Sequence, residues 1–215
     1  MQQNAFSLAI LELRKPTKEA FELLPHWGGR YWASSDALHR SYALAQLQET
    51  ERLCEQLIAS WPGDLNQPVR DEDAFPELFE LARLRSIASD STRLYAAMAL
   101  EGFVNLYGVV RLGQRVFDTH FERLHAIPKL QRLLLIGESI EVRNDHPIAV
   151  ALGNVARSRN ELVHPKAVEL SDPTIEVEGD NVEVPGYARQ SVTNMETFFD
   201  EFERLVPAMK PHIRR

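Results

Sequence analysis

The stretch LYAAMALEGFVNLYGVV, residues 94–110, decides the fold class. It is apolar on every side of a 3.6-residue turn, with Glu101 and Asn105 its only charged or amide side chains. A helix of that kind belongs at the centre of a bundle, where neighbours cover all its faces. Asp90 or Ser91 is the expected cap at its start, and it should run to about Leu112.

Working outward, the flanking segments are also helical. Asp36 reads as the N-cap of a helix to about Ser60, with Leu44, Leu47, Cys54, Ile58 and Trp61 on one stripe. Trp61-Pro62-Gly63-Asp64 ends it. Residues 74–88 read as a separate helix, 114–125 as a short one, and Pro128 opens another from Lys129 to Ser139. Residues 147–164 form a further helix, stopped by Pro165. The last helix, about 188–207, carries Val192, Met195, Phe199, Phe202 and Val206 as a packing seam, against the bundle or a second copy.

Two short β segments complete the prediction. Residues 6–13 (FSLAILEL) suit a buried strand. Residues 174–184 alternate around Gly179-Asp180-Asn181 as a hairpin does. Trp27-Gly28-Gly29-Arg30, with Tyr31 and Trp32, reads as an aromatic turn plugging the bundle end, because it lacks the spacing of a phosphate-binding loop. The expectation is a single domain in three parts. Residues 1–35 are a strand and aromatic loop packed on the bundle, 36–165 the helical bundle, and 166–215 the hairpin and C-terminal helix.

Composition narrows the function. A 215-residue chain with a net charge of −7 is not built to coat nucleic acid, which takes many Lys and Arg contacts to phosphate. A small basic cleft on an acidic body remains open. Cys54 is the single cysteine, so a disulfide within the chain and a cysteine-rich metal site are both excluded. The seven histidines show no zinc-site spacing. No metal or cofactor is expected. No stretch reaches the roughly 20 apolar residues of a membrane span, the N-terminus lacks signal-peptide features, and a cytoplasmic location is the default expectation.

The chemical statement of the chain is Arg159-Asn160-Glu161-Leu162-Val163-His164-Pro165-Lys166. A guanidinium, an amide and an imidazole lie within about one and a half turns of helix. Those groups suit a phosphodiester: a cation for the phosphoryl charge, a hydrogen-bonding amide, and an acid/base group active near neutrality. Spacing alone is weak, since Arg115 and His120 repeat it and read as a solvated face with a partly buried histidine. The asparagine after the arginine and the Pro165-Lys166 that follows the histidine set the later copy apart. On one helix Asn160 and His164 lie about 40° apart, and Arg159 and His164 about 140° apart. One helix thus makes half a pocket, and two across a dyad would complete it. His164 precedes proline, so it should sit, accessible, at the frayed helix end.

These residues resemble the HEPN superfamily, whose motif is arginine, a polar residue, three to five further positions, and histidine. Arg159, Asn160 and His164 occupy those places, and residues 36–165 follow the helical order. The resemblance implies a helical bundle. In many members it also implies a metal-independent, dimeric endoribonuclease of toxin–antitoxin, defence or RNA-processing type. Expected partners are then RNA, a second copy and a possible cognate antitoxin. Other members are noncatalytic and bind nucleotides or proteins, which is the alternative for this chain. RNA brings its own nucleophile in the 2′-OH, so His164 would move the proton, Arg159 would hold the nonbridging oxygens, and Asn160 would orient phosphate or imidazole. Lys166, Glu101 and Asn105 are supporting candidates. Glu101 is read as a buried carboxylate paired with Arg159, against an equally weighted reading in which it is exposed or pairs with a structural arginine.

Overall fold

The computed structural model describes residues 24–26, 30–32, 35–65, 67–164, 186–209 and 213. The expected strand at 6–13, the hairpin at 174–184 and Lys166 lie outside them. The chain is mainly helical. Two three-residue strands, β1 (Leu24–His26) and β2 (Arg30–Trp32), pair antiparallel with Pro25 opposite Tyr31. Residues 27–29 between the strands, and with them the expected aromatic plug, lie outside the described residues. Six helices follow among the described residues: α1 (Asp36–Ser60), α2 (Pro76–Leu112), α3 (Gln114–His120), α4 (Ala126–Glu138), α5 (Pro147–Val163) and α6 (Gly186–Leu205).

The central helix is longer than the sequence suggested. Residues 76–112 form one helix of 37 residues, and neither Asp90 nor Ser91 caps anything. No proline or glycine interrupts residues 77–101. Thr92 Oγ1 bonds back to the Ala88 carbonyl at 2.9 Å, so its hydroxyl is satisfied without breaking the turn. Pro76 sits in the first turn, where its missing N–H costs nothing. Gly113, at φ +79°, ends the helix in a conformation that other residues avoid.

α2 packs against α1, α5 and α6. Its buried side chains Phe103 and Tyr107 meet Phe198, Phe199 and Phe202 of α6, mostly edge to face, with centroids 4.8–6.2 Å apart. The seam expected on α6 is buried throughout, and it faces the bundle. α6 is therefore part of the core. The stripe expected on α1 is only half right. Cys54 and Trp61 are buried, but Leu44 and Ile58 are exposed, and the covered face is Ala43, Thr50, Leu53, Cys54 and Leu57. Asp36 is the first helical residue, and Ser35 holds the cap position.

α5 forms as its sequence predicts. Pro147 opens it, and the His146 imidazole accepts a hydrogen bond from the Ile148 N–H at 3.3 Å. It ends at Val163, and His164 leaves helical geometry at φ −129°, ψ 59° before Pro165. No described helix is long and apolar enough to cross a membrane.

Candidate functional site

A cleft of about 1190 Å³ opens between α2, the start of α4 and α5. Its apolar wall is built from Leu100 and Val104 of α2, Ile127 of α4, and Leu152, Val155 and Ala156 of α5. Arg159, Asn160 and His164 all line it, together with Arg157 and Glu161. So do Glu101, Asn105, His125 and Lys129 from the facing elements. Sequence spacing thus placed three motif side chains on a cavity they share with residues up to 67 positions away.

The motif side chains are exposed to solvent. Arg159 Nη1 donates to Asn160 Oδ1 at 3.1 Å, which draws the guanidinium round from its own side of the helix toward the face that carries His164. Among the described residues Arg159 forms no salt bridge. His164 uses its backbone N–H to cap the Asn160 carbonyl at 3.0 Å.

α5 is fixed to the central helix just before the motif. Arg93, buried on α2, donates from Nε to Ser158 Oγ at 2.8 Å and from Nη2 to the Ser158 carbonyl at 2.6 Å. A weaker contact reaches Glu161 at 3.5 Å. Its guanidinium also lies 4.6 Å from the centre of the Tyr187 ring of α6. The motif is held by a clamp three elements wide.

Of the two readings of Glu101, the exposed one holds, and Asn105 lines the cleft. Glu101 is exposed and makes no ion pair with Arg159 among the described residues. Asn105 accepts a hydrogen bond from Lys129 Nζ at 2.9 Å. Lys129 is 5% exposed, and its ammonium sits 5.6 Å from the Phe117 ring centre. Burial pushes its pKa below the ordinary lysine value, and the charges of Glu101 and Glu122 oppose that shift. The Glu101 carboxylate thus acts on a lysine, at longer range than a salt bridge.

The second arginine–histidine pair is a solvated face, as read. His120, however, is exposed, not partly buried. Sequence reasoning missed His125, Lys129 and Arg93 as site-forming residues. A lysine four positions before Leu133, on the apolar stripe of α4, was the available signal for Lys129. Arg93, three positions before Ala96 and seven before Leu100 on the covered face of α2, was another. Nothing local marks His125, which comes to the cleft by tertiary packing alone. Among the described residues no group of three or more His, Cys, Asp or Glu side chains is placed to hold a metal. Compared with family models, curated proteins and solved structures, the chain matches none.

Proposed function

We propose that this chain is a metal-independent endoribonuclease of HEPN type, cleaving RNA by attack of the 2′-OH on the adjacent phosphodiester. The observation that carries the reading is the shared cleft: a guanidinium with no ion pair among the described residues, its amide partner and an accessible imidazole line one cavity with an apolar wall. His164 takes or returns the proton. Arg159 neutralises charge building on the nonbridging oxygens, and Asn160 holds the guanidinium in place for that task. DNA lacks the nucleophile, so RNA is the substrate. A second copy completes the pocket across a dyad, so that Arg159 of one copy serves His164 of the other. The biological setting is a toxin–antitoxin or defence system, in which a cognate protein would cover the cleft.

The test is incubation of purified protein with single-stranded RNA in EDTA, beside Arg159→Ala and His164→Ala prepared in parallel. Cleavage by the wild type, reduced about 10²-fold or more in each variant, supports the enzyme. Intact RNA with a folded wild type supports instead a noncatalytic binding module. Growth arrest on expression, relieved by His164→Ala, would support the toxin setting.

A further inference from the structure

Lys129 is a buried cation that forms no salt bridge among the described residues. Among the described residues no acid lies within salt-bridge distance of it, and its one hydrogen bond goes to the neutral Asn105 amide. A lysine ammonium has three donors, and almost fully buried lysines are rare unless they are paired. This one lines the cleft. The ammonium of a nearly buried lysine at a cavity wall, with donors to spare, fits an anionic ligand group.

Its place along the cleft can be measured against both helices. Arg93 is level with Ser158, and Asn105 is level with Lys129. Arg93 and Asn105 are 12 residues apart on α2, about 18 Å at 1.5 Å per residue. On α5 the start of α4 meets Gly153, where an added methyl would lie 3.0 Å from Ile127 Cδ1. Asn160 is about 10 Å and His164 about 16 Å further along the axis from that point. Gly153, Arg157, Asn160 and His164 share one face to within about 60°. The cleft therefore has a lysine end and a motif end roughly 15 Å apart, joined by the apolar wall.

We propose that the Lys129–Asn105 end is a second phosphate subsite, which holds the backbone of an RNA strand several nucleotides from the linkage facing His164. This rests on the ribonuclease reading for the identity of the strand. A stacked strand rises about 3.4 Å per nucleotide, so the separation corresponds to about four nucleotides, fewer when extended. Bases between the two ends lie on Leu100, Val104 and Val155. Glu101, on the rim, is near enough to act on the Lys129 charge but leaves the ammonium donors free. The enzyme then prefers oligonucleotides to dinucleotides.

Two measurements test this on the full chain with Lys129→Met and Lys129→Gln, each checked for wild-type helicity. The first is binding of a fluorescent 2′-O-methyl RNA octamer, which cannot be cleaved, across a salt series. Each variant should bind about tenfold more weakly, with the slope of log K against log salt reduced by about 0.7, the signature of one lost single-strand phosphate contact. The second is kcat/KM for an octamer over that for a dinucleotide, a preference that should drop about tenfold in both variants. An unchanged salt slope, or an equal loss on both substrates, overturns the subsite and leaves Lys129 a structural residue. If adenosine monophosphate displaces the octamer from the wild type at micromolar concentration but not from Lys129→Met, the site belongs to a free nucleotide and the strand assignment is overturned. A wild type that cleaves nothing, yet shows the affinity and slope differences, retains the subsite while the catalytic reading fails.

Discussion

Arg93 of α2 grips Ser158 of α5 twice, at 2.8 Å to its hydroxyl and 2.6 Å to its carbonyl, one residue before Arg159. The central helix thereby sets the height and rotation of the motif. Arg93 does not itself line the cleft, and its short contacts go to Ser158, so it acts as a positioning residue through Ser158.

Replacing Arg93 with alanine removes two short bonds to Ser158, two weaker contacts to Asp90 and Glu161, and the contact with Tyr187, a loss on the order of 2–4 kcal/mol of stability. Thermal unfolding should occur roughly 4–15 °C lower at this chain length. Below that transition kcat on RNA should drop about tenfold with a smaller change in KM, because binding survives while the reacting groups lose alignment. Ser158→Ala should reproduce a milder version. Steady-state kinetics at 20 °C and a thermal melt check both.

How much of this was legible in the residues follows from which forces are local. The seam of α6 could be read because large side chains at three- and four-residue spacing leave no other face to bury. The stripe of α1 was misread because Ala43 and Thr50 occupy the covered face, and a reading weighted toward large apolar residues shifts to Leu44 and Ile58. Helix α2 was split in two because Asp90 and Ser91 have capping chemistry, although the uninterrupted backbone gives them nothing to cap. The motif was visible because its members share one helix. Lys129 and His125 were not, since only packing brings them to the cleft, and Arg93 was not, since it meets Ser158 only where α2 packs on α5.

Lys129 should make the fold less stable than an apolar side chain would. Its pKa is lowered on folding, so the charged form is disfavoured in the native state below that lowered value. As pH rises through the folded pKa toward the ordinary lysine value of about 10.4, the penalty disappears. Lys129→Met is therefore expected to be more stable than wild type at pH 7, by on the order of 1 kcal/mol. The advantage should shrink as the pH is raised through the alkaline range. Urea melts at several pH values between 7 and 10 measure it, and an advantage that grows with pH would contradict the burial cost.

At Gly108 the Phe117 ring of α3 packs close against the central helix. A methyl group there would sit 2.5 Å from two ring carbons of Phe117, and 3.1 Å from Leu133 Cδ1. Phe117 is itself buried and carries Lys129 on its face, so the ring has little room to give way. Gly108→Ala should cost about 1–3 kcal/mol despite the better helix propensity of alanine. Because the displaced ring supports the lysine end of the cleft, octamer affinity should weaken along with stability. A variant as stable as the wild type would mean that α3 slides freely.

The dyad in the proposed mechanism makes a prediction that single variants cannot. If Arg159 of one copy serves His164 of the other, then Arg159→Ala and His164→Ala homodimers are both dead, but a mixed dimer keeps one intact pairing. Equal amounts of the two variants, exchanged by dilution and reconcentration, should recover roughly a quarter of wild-type activity, since half of the dimers are mixed and each holds one of two sites. If both residues act within one chain, every mixed dimer is inactive and nothing is recovered. His125 then becomes the candidate for the second imidazole, because it already lines the same cleft in a single copy. The mixture separates the two arrangements without further structure: recovered cleavage requires the exchange of side chains between copies, and its absence confines the chemistry to α2, α4 and α5 of one chain.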